Sequence, residues 1–252
     1  MPMRERSTQM TRDLHTLVSP ENDAESLLAR GQLALRQGDV TLADALFTRA
    51  SCEPRMVVRA LRLLAVSRIK SGRSEGALTL FIDARARIDD EFHDVDMRAL
   101  KADLDHRIGH LAHTLSRLDL AERAYRACVK NAERASLVAR ARHNLGVLLV
   151  EEERHDEALP ILHRALAERE RIFGLGSREV AGTLRELAVV AAETGSCERA
   201  RALLERALFA LGPDERATRA RYFSELARLS RATRIARSAP RSTTRPKNMV
   251  IT

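Results

Sequence analysis

Between Ala139 and Leu211 the chain repeats itself: ARHNLGVLLVEEERHDEALPILHRAL (141–166) is followed by GTLRELAVVAAETGSCERARALLERAL (182–208). Setting Ala158 on Ala200 also sets Leu145 on Leu187, Gly146 on Ala188, Leu162 on Leu204 and Ala165 on Ala207, a period of 42 residues. Self-similarity at such a spacing is the mark of a stacked-repeat architecture. It constrains the fold tightly, because one copy cannot bury its apolar faces alone and needs a neighbour to complete them.

Three earlier stretches obey the same pattern: Gly31–Ala50 (closed by Pro54), Ala65–Ala86 and Gly109–Cys128. The marker alanines are Ala43, Ala77, Ala121, Ala158 and Ala200, separated by 34, 44, 37 and 42 residues. The 44-residue step holds an insert of about ten residues around Ile88–Asp96, which predicts helix extensions about an acidic loop. In the first helix of each unit a small slot holds Gly31, Ala65, Gly109, Gly146 and Ala188. In the second helix, four residues after the marker alanine, a bulky slot holds Phe47, Phe81, Tyr125, Leu162 and Leu204. A further small slot holds Ala50, Ala84, Cys128, Ala165 and Ala207. Small residues let paired helices approach closely, and the bulky slot fills the space between neighbours. Gly174 and Gly176 predict a helix break, with Ser177 capping the next helix.

After the fifth unit, Ala217–Ala232 has the apolar spacing of one more helix, read on Phe223, Leu226 and Ala227, and no partner helix follows. It is expected to cap the open face of the last pair. Residues 1–20 are expected to form a flexible arm, 21–237 the repeat body with its cap, and 238–252 a disordered basic tail.

These units resemble the tetratricopeptide-repeat family over roughly residues 21–230. The fourth and fifth, with DEALPILHRALAERERIFG (156–174), are similar to the longer kinesin-light-chain type. Three positions depart from the family pattern: Asp105 and Arg142 stand near the start of a first helix, and Arg30 in the first unit, where Leu is usual. The resemblance implies an all-α, right-handed superhelical solenoid of five helix pairs plus a C-terminal cap. It also implies a non-enzymatic scaffold that binds a protein or peptide in the concave groove lined by the first helices.

Projecting the helical period onto that face selects Arg59, Arg62 and Lys70 in the second unit, and His106, His110 and His113 in the third, with Arg107 at the edge. The fourth unit offers Arg140, His143 and Asn144, and the fifth Arg185. Asn144 matches a position where peptide-binding relatives use an amide to grip a ligand backbone, donating and accepting together; the alternative is that it only suits the surface of the repeat. His106, His110 and His113 share a helix face at i, i+4 and i+7. That spacing suits a transition metal, a pH-sensitive ligand surface or an ordinary polar face. No HExxH motif or cysteine ligand accompanies it, so no metal and no cofactor is assigned.

The chemistry-bearing motifs are missing: there is no phosphate-cradling glycine loop, no GxSxG elbow and no EF-hand pattern in the acidic run. Charge is uneven, because residues 228–252 carry seven of the eight net positive charges. Arg228, Arg231, Arg234 and Arg237 recur every third residue and form a candidate polyanion contact, which makes a nucleic-acid-contacting regulator the alternative function. A peptide-sensing inhibitor of a partner protein is a further one. Cys52, Cys128 and Cys197 follow no paired spacing and are expected to be small packed residues in a reducing compartment. With no apolar leader and no long apolar run, the expected location is the cytoplasm, away from membranes.

Overall fold

The computed structural model describes residues 23–91 and 95–238, without the side chains of 89–91, 95 and 230–238. The N-terminal arm, the centre of the acidic loop and the tail beyond Ser238 lie outside the described residues. Those described form eleven α-helices, five pairs and a cap, as an all-α solenoid. The pairs are α1 (Ala24–Gln37) with α2 (Val40–Ala50), α3 (Val57–Lys70) with α4 (Ser74–Glu91), and α5 (Val95–Thr114) with α6 (Leu118–Asn131). They continue with α7 (Ala135–Glu151) and α8 (His155–Phe173), then α9 (Arg178–Glu193) and α10 (Cys197–Ala210); the cap is α11 (Arg216–Ser238). The chain divides into two compact units at Leu148, inside α7.

Local chemistry sets the helix ends. The Asp39 carboxylate accepts from Leu42 N–H at 2.9 Å and Ser177 Oγ from Val180 N–H at 3.3 Å, satisfying first-turn donors that have no helical partner. Gly174, at φ 78°, stops α8 in a conformation other residues rarely adopt. The insert lengthens α4 and α5 to 18 and 20 residues, as expected.

In the first unit each helix packs on the next from α1 to α6, and α7 closes on α5 and α6 through Ala102, Cys128, Leu137 and Ala141. The reason for the small slot is direct. A Cβ at Gly31 would stand 2.5 Å from the Phe47 ring, and one at Gly109 would stand 2.6 Å from the ring of Tyr125. Where the small residue is Ala65, it and the facing-helix Phe81 are both fully buried. Asp105, at a usual leucine position, is 2% exposed and accepts from Arg85 Nε at 2.6 Å, so an ion pair holds α4 to α5 where the insert separates them. Breaking such a pair from one side strands a buried charge, which costs about 3–5 kcal/mol. Cys128 fills its slot and is fully buried, but Cys52 is exposed in a turn and Cys197 half-exposed at the start of α10. Only one of the three thiols is therefore packed; the other two sit at helix boundaries, where repeat packing does not reach.

The second unit contains an anchor that helical periodicity does not reveal. Arg169, 6% exposed on α8, donates through Nη1 to the Glu179 carbonyl at 2.8 Å and to Thr183 Oγ1 at 2.9 Å, tying α8 to α9. The cap is rotated from the expected face. Tyr222, 2% exposed, is buried, with Leu226 and Leu229 packed on the α9–α10 cluster, whereas Phe223 is 51% exposed. Arg219 fixes the rotation: its Nη1 donates to the carbonyls of Leu208 and Leu211, each at 2.8 Å, where α10 ends.

Two helical glycines, Gly109 inside the close-contact slot and Gly76 outside it, should respond in opposite ways. Gly109→Leu must displace the Tyr125 ring and should cost at least about 1–3 kcal/mol. Gly76→Ala meets nothing within 4 Å and should stabilise the protein by up to about 1 kcal/mol. Urea denaturation followed by circular dichroism measures both, and an unchanged midpoint for Gly109→Leu would rule out the close-contact account.

Candidate functional site

The first helices of the second, third and fourth pairs meet in the first unit along one face of α5. Asp103, His106, Arg107, His110 and Thr114 recur at helical spacing and line a cleft of about 560 Å³, completed by Arg140 and Asn144 of α7 and by Ile69, Ser74 and Phe81 of α3 and α4. A second cleft, of about 500 Å³, opens on the same helix and shares Asp103 and Arg107 with the first. Arg59 and Arg62 of α3 and Arg134, just before α7, line it.

His106 and Asn144 form the centre of the first cleft. The Asn144 amide nitrogen lies 3.4 Å from His106 Nε2. An amide nitrogen can only donate, so the ring nitrogen accepts and carries no proton. Burial, followed by the charges of Arg140 and His110, drives the His106 pKa down to about 4. His106 is thus a neutral acceptor near pH 7, not a switch in the physiological range, and Asn144 is positioned by it. Arg140 and His110 are exposed beside this pair and offer the donors of the cleft.

The expected groove residues divide. Arg59, Arg62, His106, His110, Arg140 and Asn144 gather in the two clefts. Lys70 instead donates from Nζ to the Leu35 carbonyl at 3.3 Å, near the end of α1. His113, half-buried, stands edge-on to Tyr125 with ring centroids 6.5 Å apart and lines neither cleft, so only His106 and His110 of the expected row reach the first cleft. His143 is half-buried and lines neither cleft. Among the described residues no group of three His, Cys, Asp or Glu side chains is placed to hold a metal ion. Arg134 carries no periodic signal in the sequence, because it sits in the link between α6 and α7, outside every helical stripe. Arg107, expected at the edge, lines both clefts.

Arg185 lies in the second unit and is held by carboxylates: Nη1 is 2.7 Å from Glu186 and Nε 3.1 Å from Glu225 of α11. With Arg228 it borders a separate cleft of about 370 Å³ whose floor is apolar, formed by Ala188, Val189, Ala192 and Leu229. Arg231, Arg234 and Arg237 are on the α11 backbone, but their side chains are outside the described residues. No helix among the described residues is long and apolar enough to cross a membrane.

Two stretches, residues 28–91 and 137–208, match models of the tetratricopeptide repeat, and together they span more than half of the chain. The chain belongs to the tetratricopeptide-repeat family. The unmatched interval, 92–136, holds the end of the insert and the third unit with its Asp105 departure. No curated protein matches the sequence. Among solved structures, the fold is similar to BtubC (BKLC) from P. vanneervenii, with 21% identity, a TM-score of 0.61, and coverage of 92% of this chain and 97% of that one. YrrB, a TPR protein with an unusual peptide-binding site, has 18% identity and a TM-score of 0.59, covering 77% of this chain and 89% of its own. The TPR-like repeats of a Podosopora anserina kinesin light chain have 14% identity and a TM-score of 0.58, covering 74% and 93%. Identities this low speak for the fold.

The neutrality of His106 has a pH signature in this TPR protein. Unfolded, the ring takes its proton near pH 6.5; folded, only near pH 4. The unfolded state therefore binds more protons between those values, and stability should drop by up to roughly 3 kcal/mol as the pH is lowered through the window. His106→Gln should lose less between pH 7.5 and 4.5 than the parent, read from urea midpoints. Equal losses would mean that His106 is not held neutral.

Proposed function

We propose that the protein is a non-enzymatic scaffold that captures a peptide segment of a partner protein on the α3–α5–α7 face of its first unit. The observation that carries this reading is the first cleft, where Asn144, oriented by neutral His106, stands beside Arg140 and His110. The Asn144 amide nitrogen is engaged by the ring, which leaves its carbonyl oxygen as the acceptor offered to a peptide N–H. Arg140 adds a planar donor for carboxylate or carbonyl oxygens. A cleft of about 560 Å³ suits a few side chains of an extended segment. Peptide binding by the similar YrrB fold lends the reading support by analogy only.

The cytoplasm is part of the same proposal, supported by three free thiols in a chain that uses no disulfide. The nucleic-acid alternative draws less support from Arg228, which borders a cleft lined by Ala188, Val189, Ala192 and Leu229.

Capture from a lysate of the native cell, with the parent protein and an Arg140→Glu/Asn144→Ala variant as baits, tests the assignment. The variant should lose at least one specific partner by roughly tenfold, equivalent to about 1.4 kcal/mol. Retention of every partner at parental levels would refute the α5–α7 cleft as the binding site.

A further inference from the structure

The second cleft has a different chemistry from the first. Four guanidinium groups line it, those of Arg59, Arg62, Arg107 and Arg134, and its described acids are Asp96 and Asp103. Asp103 is already engaged, since its Oδ2 accepts from Arg107 Nε at 2.7 Å and lies 4.0 Å from Arg62 Nη1. Arg62 is half-buried, its Nε has no hydrogen-bond partner among the described residues, and burial together with Arg107 holds its pKa below the usual arginine value. A guanidinium does not escape such a position by losing its proton. Arg59 and Arg134 are exposed and make no ion pair among the described residues. Among the described residues, four positive and two negative side chains leave a surplus of two charges in a cleft of about 500 Å³.

We propose that this cleft is a subsite for a phosphoryl group carried by the bound peptide. The inference rests on the peptide-scaffold reading and names part of what the peptide presents. A phosphoryl group brings about −1.5 to −2 charges and three acceptor oxygens at neutral pH, matching the surplus. A single carboxylate leaves one charge uncompensated. The planar forks of Arg59 and Arg134 suit paired oxygens. Shared Asp103 and Arg107 place the subsite next to the Asn144 cleft, so one extended segment can occupy both. A long polyanion fits less well, because residues 1–227 carry a net charge of only +1, too little for the extended basic track such a ligand needs.

The test uses the full chain, labelled at the arginine side chains for NMR, with inorganic phosphate as the first probe. The Nε–H signals of Arg59, Arg62, Arg107 and Arg134 should shift on titration while that of Arg228 stays still. An Arg59→Gln/Arg134→Gln variant, which touches only exposed side chains, should weaken phosphate binding at least tenfold. Degenerate peptide pools centred on phosphoserine, glutamate or serine form the second arm, with phosphoserine expected to bind best by tenfold or more. Unmoved arginine signals, parental phosphate affinity in the double variant, or equal binding of the phosphoserine and serine pools would each overturn the subsite. So would displacement of the phosphoserine pool by a nonspecific oligonucleotide at matched phosphate concentration. The Arg140→Glu/Asn144→Ala variant should keep its phosphate binding, so failure of the peptide scaffold and failure of the phosphoryl subsite give different results.

Discussion

In two of the helix pairs a ring presses on bare backbone. Phe47 occupies the space that a side chain at Gly31 would need, and Tyr125 does the same opposite Gly109. This contact decides how near the second helix of a pair lies to the first, and with it where the exposed face of the first helix points. Burial of the marker alanines Ala43, Ala77 and Ala121 completes the approach. Every later feature of the first unit, including the cleft along α5, depends on that spacing being held three times in succession.

The face proposed for binding lies beside this packing edge on α5. Tyr125 links the two: its ring lies 6.2 Å from that of His106 and 6.5 Å from that of His113. The ring that fills the bulky slot therefore also removes solvent from His106, and this desolvation keeps the imidazole neutral and able to accept from Asn144. A structural residue of the repeat thus conditions His106, at the proposed binding face one helix away. Asp103 plays a comparable part among the arginines, holding Arg107 in a fixed pose without cancelling the positive charge of the second cleft.

Much of the fold was legible in the sequence because the repeat pattern is local. A small residue, a marker alanine and a bulky residue four positions later can be counted without knowing any long-range contact. The cap shows where counting stops. Phe223 and Tyr222 are adjacent, and hydropathy favours burying Phe223. Yet the cap is turned by Arg219 on the α10 carbonyls and by Glu225 on Arg185, contacts that helical periodicity cannot register. The same holds for the site. Arg59, Arg62, His106, His110, Arg140 and Asn144 were accessible by helical projection, whereas Arg134 lies in the link before α7 and carries no periodic signal. Lys70 and Arg185 project correctly but are engaged by Leu35 and by carboxylates, respectively, and only three-dimensional packing reveals such competition.

Hydrogen–deuterium exchange of the full chain, with and without a captured peptide partner, tests whether the α3–α5–α7 face holds the peptide. The account predicts slower exchange on binding in peptides from 99–114 and 135–148, which carry the α5 and α7 walls of the clefts, and no change in 178–229. Protection confined to 178–229, with 99–148 unaltered, would contradict it.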